Sequence, residues 1–247
     1  MNRFFLTSRH IRDKKVVFPD DIAHQIRHVL RLGPGDLVEV LDNSGKMYRV
    51  QIDSETDQPA LTGTVLDIVE VGTEPAVFIS LYFGLTGREK TEWILQKGTE
   101  VGVSVFQPFI SERTLTQSPD LSLRKVERWE RIIREAAEQS HCSRLPVLEQ
   151  PHPLPECFRS AKQENGLNLL AWEEADVEGQ NLNEALGLYR SDRIGCFIGP
   201  EGGFSRKEAE QGSSYGCRIV SLGNRILRME TAAILFPALV LFRLNAL

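Results

Sequence analysis

Two glycine turns, each placed where an apolar run ends, constrain this chain more than any other feature. The first is Ile198-Gly199-Pro200-Glu201-Gly202-Gly203-Phe204, which closes the run Ile194–Ile198. The second is Ser221-Leu222-Gly223-Asn224-Arg225-Ile226-Leu227-Arg228-Met229-Glu230-Thr231-Ala232, which follows the run Cys217–Val220. Short apolar runs bounded by turn signals read as buried strands, and each turn leads into a helical pattern. A strand that ends in glycine lets backbone amides approach a ligand without interference from a Cβ. Two such turns, roughly twenty residues apart, belong side by side at the carboxyl edge of a parallel sheet, where open α/β sheets bind ligands.

Neither turn fits a common phosphate-binding motif. No Gly-Lys-Ser/Thr follows at Walker A spacing. The order Gly-Pro-Glu-Gly-Gly is not a dinucleotide fingerprint, and it lies late in the chain rather than after the first strand. Ser205 and Glu208 form a capping box, which predicts a helix start just beyond the first turn.

The remaining pattern completes an α/β domain. Strands are expected over Val77–Phe83, Val105–Ile110, Asn168–Trp172, Ile194–Ile198 and Cys217–Leu222. Lys90–Val101 carries one apolar stripe through Ile94, Leu95, Gly98 and Val101, and Gly98 on that stripe implies close packing. Ser122–Ser140 keeps Val126, Trp129, Ile133 and Ala136/Ala137 on one face, with Glu127/Arg131 and Glu130/Arg134 oriented as i,i+4 pairs. Pro146–Pro155 reads as a loop, and Glu230–Leu244 as the closing helix. Strands alternating with helices imply a parallel sheet.

The first 72 residues differ in character. Asp20/Asp21 cap a short helix through Leu30. Gly33-Pro34-Gly35-Asp36 and Asn43-Ser44-Gly45 are turns between short strands at Leu37–Leu41, Met47–Ile52 and Thr64–Val71, a spacing that suggests a small barrel. Gly72-Thr73-Glu74-Pro75 is the linker. The chain is acidic overall, with a net charge of −5, yet residues 1–31 hold seven Lys/Arg against three Asp, a local +4. A basic end on an acidic protein is how local contact with phosphates would look. A solvated charged surface gives the same count.

Other classes are set aside. The start Met1-Asn2-Arg3-Phe4-Phe5 lacks the apolar run of a signal peptide. The apolar run Ala232–Phe242 has eleven residues and contains Pro237, too short to span a bilayer. Cys142, Cys157, Cys196 and Cys217 show no Cys-x-x-Cys spacing and read as buried thiols, so no metal site is expected.

Taken jointly, the two turns closely resemble the RsmE family, 16S ribosomal RNA uridine N3-methyltransferases of the SPOUT superfamily. The resemblance extends through Lys90-x-x-x-x-Ile94-x-Gln96-Lys97-x-Thr99-Glu100-Val101-Gly102-Val103, through Arg128-Trp129 to Ala136-Ala137-Glu138-Gln139-Ser140, and to His28-Val29-Leu30-Arg31. It implies an α/β fold with an N-terminal PUA-like RNA-binding β-barrel over 1–72. Over 73–247 it implies a SPOUT methyltransferase domain with a deep trefoil knot. Knots are nearly absent from folds in general, and here the last ~100 residues would thread one, with loops after Trp172, Ile198 and Leu222. The resemblance further implies S-adenosylmethionine (SAM) as donor, a homodimer, and a cytoplasmic protein with no membrane partner. The substrate implied is 16S rRNA in the small ribosomal subunit, at N3 of uridine 1498.

The expected donor site comprises Leu170, Trp172, Ile198, Gly199, Pro200, Glu201, Gly202, Leu222, Gly223, Ile226, Leu227, Arg228, Met229, Thr231 and Ala232. Uridine N3 must lose a proton. Glu201 or Glu230 can act as base, or Arg228 can stabilise the anion on the uracil oxygens. Arg228 and Glu201 are the favoured catalytic residues, and Gly202→Val is expected to abolish donor binding. Arg3, Arg9, Arg12, Arg27 and Arg31 are the expected RNA contacts. One departure stands out: His141-Cys142-Ser143-Arg144 occupies a place where the family often has a Gly-Arg pair, so Arg144 is a candidate for that arginine's role. The competing reading is a non-catalytic RNA-binding protein with a degenerate SPOUT body. The intact Gly-Pro-Glu-Gly-Gly and Arg-Met-Glu-Thr-Ala segments argue against it.

Overall fold

In the computed structural model, residues 1–54, 60–164, 166–174, 180–187 and 192–246 are described. Two compact units result. One is Met1–Glu74 with Ala137–Leu145, and the other is Pro75–Ala136 with Pro146–Leu247. The segment 137–145 therefore belongs with the N-terminal unit.

The N-terminal unit is a six-stranded sheet in the order β1-β4-β5-β6-β3-β2. Its strands are β1 (Asn2–Phe5), β2 (Ile11–Arg12), β3 (Lys15–Val17), β4 (Leu37–Leu41), β5 (Lys46–Ile52) and β6 (Thr62–Glu70). β1 and β4 are parallel, and the other neighbours are antiparallel. Phe4, Val16, Phe18, Ile26, Val38, Val40 and Val50 build its core. The expected helix from Asp20 is shorter, α1 (Asp20–His24), and continues as a single π-turn over Gln25–Val29. Strands β1 to β3 had no legible alternation, because each is four residues or fewer.

Among the described residues, the second unit is an eight-stranded sheet whose neighbouring strands all pair in parallel. Its strands are β7 (Phe78–Gly84), β8 (Val105–Ile110), β9 (Val147–Leu148), β10 (His152–Pro153), β11 (Leu167–Ala171), β12 (Gln180–Asn181), β13 (Arg193–Ile198) and β14 (Arg218–Ser221). The order is β10-β8-β7-β13-β11-β14-β12, with β9 also paired to β8. Its helices are α2 (Arg88–Val101), α3 (Leu123–Gln139), α4 (Leu154–Gln163), α5 (Leu182–Gly187), α6 (Arg206–Ser214) and α7 (Met229–Arg243), α3 running on past Ala136.

Alternation along the strands divides the core in two. On β7, Ile79, Leu81 and Phe83 face the layer that holds Ile94 and Leu95 of α2 and Phe236 of α7. Tyr82 faces the other way, among Phe158 of α4, Ala209 of α6 and Phe197. Burial on both faces is why these strands read as continuous apolar runs. Gly98 packs as its stripe implied: a Cβ there would lie 2.7 Å from the Phe106 ring. The expected pairs Glu127/Arg131 and Glu130/Arg134 do not form. Among the described residues, the ion pair made by α3 is instead Arg128 to Glu92 of α2, 2.5 Å. The stretch read as a loop, Pro146–Pro155, contains β9, β10 and the start of α4. Two-residue strands carry no periodic signal.

Candidate functional site

Three strand ends meet at one place. β13 finishes at Ile198, and the chain turns tightly, with the Gly203 N–H donating to Pro200 O at 2.8 Å. Gly203 holds φ +68°, a left-handed conformation, and a Cβ there would lie 2.2 Å from the Glu173 carboxylate. Gly84, at the end of β7, is what lets this turn sit so close: its Cβ would lie 2.6 Å from the Pro200 nitrogen. Beyond the turn, the predicted capping box forms, with the Ser205 hydroxyl accepting from the Glu208 N–H and the Glu208 carboxylate accepting from the Ser205 N–H. The other Glu208 oxygen accepts the Glu112 N–H at 2.8 Å, and Arg113 donates to Gly202 O at 2.7 Å. The loop after β8 thus braces the turn.

β14 ends at Ser221, and Gly223 follows at φ +115° with its N–H on the Ser221 hydroxyl. Arg228 is the extended residue before α7, so the unpaired N–H groups of that helix start point out at the same place. The third loop begins at Trp172, whose N–H donates to Val220 O and whose indole donates to Phe204 O at 3.2 Å. The expected loop beyond it includes residues 175–179, which lie outside the described residues.

Together these loops enclose an open cleft of about 380 Å³. Its walls include Trp172, expected at the start of the third loop, and Ile198, Gly199, Pro200, Glu201, Leu222, Gly223, Ile226, Leu227, Arg228, Met229 and Ala232, expected from the two motifs. Lys90, Ala171, Glu173, Gly203, Ser221, Arg225 and Glu230 complete it. Lys90, Arg225 and Glu230 stood in the recognised motifs. Ala171 and Glu173 carried no signal, since only the fold brings β11 to β14.

The cleft has mixed charge. Glu201 accepts from the Thr86 hydroxyl and from the Lys90 ammonium, the latter at 3.0 Å. Burial alone would push its carboxyl up, but these two donors hold it below the usual carboxylate range. Arg228 is exposed, and its guanidinium has no hydrogen bond or ion pair among the described residues.

An RNA methyltransferase domain model matches residues 73–241. Ribosomal RNA small subunit methyltransferase E of Synechocystis is 33% identical over 99% of this chain and 77% of its own length. The chain belongs to this family, RsmE. The Bacillus subtilis member is 29% identical over 94% of this chain and 93% of its own. The Neisseria gonorrhoeae member, solved bound to S-adenosyl methionine, superposes with TM-score 0.83 at 27% identity, over 97% of this chain and 96% of that one. A Legionella pneumophila protein in complex with the bound cofactor SAM superposes equally well, at 25% identity over 96% of each chain.

Within this RsmE chain, three expected site residues lie away from the cleft. Leu170 is fully buried on the α4/α6 side of β11, because adjacent strand residues face opposite ways, and it is Ala171 that meets the cleft. Gly202 faces Arg113, whose Cβ lies 3.2 Å from where its own would be, so Gly202→Val strikes the brace and not the cleft. Thr231 is turned outward to solvent on the first turn of α7. Glu201 lines the cleft as expected, but two donors already engage it and hold its carboxyl below its ordinary range, which weakens it as a base.

In the N-terminal unit, Arg3 is also corrected. Its side chain is 6% exposed, paired with Glu39 at 2.9 Å, and donates to the His141 and Cys142 carbonyls. It is a structural cation with no face left for phosphate. Arg9, Arg12 and Arg31 are exposed and Arg27 half-buried, and none is paired with a carboxylate among the described residues. Arg31 takes a left-handed φ of +56° directly after the π-turn. The departure at 141–144 is a docking segment: Glu74 accepts the N–H groups of Ser143 and Arg144, and Arg144 donates to Ser44 O. The linker residue Glu74 is thus an anchor, and Arg144 is occupied by the N-terminal sheet.

Proposed function

We propose that this protein methylates N3 of a uridine, uridine 1498 by the family resemblance, in 16S rRNA of the small ribosomal subunit. The methyl donor is SAM. The observation that carries the reading is the cleft at the carboxyl ends of β11, β13 and β14, built from both family motifs. Its 380 Å³ lies within the range of small-molecule sites. Gly203 and Gly223 hold left-handed turns there, and the Gly203 turn leaves no room for a side chain beside Glu173. Leu222, Ile226 and Leu227 supply apolar walls for an adenine ring, and Glu173 an acceptor for hydroxyl or ammonium protons. These residues fit the donor. When bound, SAM supplies an electrophilic methyl group whose bonding electrons leave with sulfur. The chain itself contributes mostly positioning: Trp172 and the braced turn fix the wall, and Arg228 offers charge to the uracil oxygens.

The N-terminal sheet serves as the PUA-like RNA-binding barrel, with Arg9, Arg12, Arg27 and Arg31 on phosphates. The C-terminal unit has the knotted SPOUT arrangement and acts as a homodimer in the cytoplasm. The parallel order β7-β13-β11-β14, with three loops converging on one cleft, supports that arrangement. Among the described residues, no helix is long and apolar enough to cross a membrane.

The deciding experiment incubates the protein with methyl-labelled SAM and small subunits lacking the modification, then digests the rRNA for nucleoside mass spectrometry. The expected product is 3-methyluridine. Label on another base or on ribose, or none, refutes the reading. A companion variant, Arg9→Ala with Arg31→Ala, should flatten the salt dependence of RNA binding by roughly 0.7–0.9 log units per lost contact, with SAM affinity unchanged.

A further inference from the structure

The motif turns bring two carboxylates to the cleft, and their surroundings differ. Glu201 is engaged by the Thr86 hydroxyl and the Lys90 ammonium. The carboxylate of Glu230, in the first turn of α7, has no hydrogen-bond partner among the described residues, and its Oε2 is buried. Buried polar atoms are almost always hydrogen-bonded, and one that is not calls for an explanation. A carboxylate oxygen only accepts, so the missing partner is a donor, and the cleft that Glu230 lines is where one can reach it. Resting on the reading of this chain as a uridine N3-methyltransferase, we propose that Glu230 accepts the N3 proton of the target uracil, while Glu201 serves to hold Lys90 at the cleft wall.

The step balances. The N3–H bond breaks, and the proton bonds to Glu230. The electron pair stays on N3 and becomes the bond to the incoming methyl group. Glu230 afterwards returns the proton to solvent. Arg228, two residues away and unpaired, is placed to answer the negative charge that the uracil oxygens gain. The other charged groups facing the cleft are Lys90 of α2, Glu173 after β11, Glu201 after β13 and Arg225 after β14. Of these carboxylates, Glu173 is exposed, and Glu201 is engaged as described.

The test compares wild type, Glu230→Gln, Glu230→Asp and Glu201→Gln. SAM affinity is measured by calorimetry, RNA affinity by filter binding, and single-turnover rates on small subunits across a pH series. Glu230→Gln should bind SAM and RNA as wild type does and lose about 10²- to 10⁴-fold in rate at neutral pH. The deficit should shrink at alkaline pH, where the uracil imide ionises unaided. Glu201→Gln should keep the acid limb of the wild-type pH profile. A Glu230→Gln protein with the wild-type rate overturns the proposal. So does one that loses SAM affinity, which would make Glu230 a ligand of the donor, and so does loss of the acid limb in Glu201→Gln. If Glu230→Gln does not fold, Glu230→Asp decides: a slower rate with unchanged SAM affinity sustains the proposal, and an unchanged rate overturns it. Absence of 3-methyluridine from the wild-type reaction would remove the functional reading itself, and with it this proposal. That result is seen before any variant is made.

Discussion

Glu208→Ala tests whether the glycine turn is held by the contacts that surround it. The Glu208 side chain is 8% exposed and receives two backbone N–H groups, Ser205 at 2.9 Å and Glu112 at 2.8 Å. Truncation removes the reciprocal half of a capping box. It also leaves two part-buried donors without an acceptor, each costing about 1–3 kcal/mol when fully desolvated. Both donors keep some access to water, so the lower ends apply, and the sum is about 2–4 kcal/mol. Glu208→Gln keeps one carbonyl oxygen, serves one donor, and should cost about half as much. Urea unfolding followed by tryptophan fluorescence reads the loss, since Trp172 donates to Phe204 O in the same turn. Because the chain has two units, the midpoint of the transition reported by the tryptophans, all three of which lie in the C-terminal unit, is compared, rather than a global extrapolation. SAM affinity should weaken about tenfold for each 1.4 kcal/mol by which the turn is loosened. A Glu208→Ala cost below about 0.5 kcal/mol, or a glutamine variant as damaged as the alanine one, would refute the reasoning.

Gly84→Ala should weaken SAM binding without touching the cleft, because its methyl group would meet the Pro200 backbone at 2.6–2.8 Å and push the turn away; about 1–3 kcal/mol is expected, and unchanged calorimetry would count against it. Stability should fall in acid. The carboxyls of Glu92, hydrogen-bonded chiefly by Arg128, and of Asp53 and Glu201, whose hydrogen bonds outweigh their burial, are held below their ordinary values. Groups with depressed values stabilise the fold above the unfolded values of 3.8 (Asp) and 4.5 (Glu), and that stability is lost as pH drops through and below them. A urea midpoint that is equal at neutral pH and at about pH 3 contradicts this. Burial pushes the thiols of Cys157 and Cys217 up to about 12 and that of Cys196 higher still. Half-buried Cys142 is therefore the one that a thiol reagent should reach first in the folded protein, and rapid labelling of several thiols would be inconsistent with the packing.

The sequence by itself determined the elements that carry long-period signals. Helices α2, α3 and α7, strands β7, β8, β11, β13 and β14, the capping box at Ser205 and the two glycine turns were all legible. Each is defined by neighbours in the chain: an apolar run, a stripe at helical spacing, or a hydroxyl three residues before a glutamate. Most of the cleft was legible too, since the two motifs contribute eleven of the expected residues found there and Trp172 is the twelfth. The tertiary structure decided what depends on residues far apart in the chain. Whether Leu170 or Ala171 meets the cleft is set by which face of β11 each presents, a one-residue matter that an apolar run on both faces cannot encode. Gly202 and Gly203 look alike in sequence, and only Arg113, eighty-nine residues away, separates the braced one from the one beside Glu173. Arg3 looked like any other basic residue until β4 placed Glu39 beside it. The roles of Glu201 and Glu230 divide for the same reason: charge is read from sequence, but the hydrogen bonds that occupy a carboxylate come from residues that only the fold brings within 3 Å.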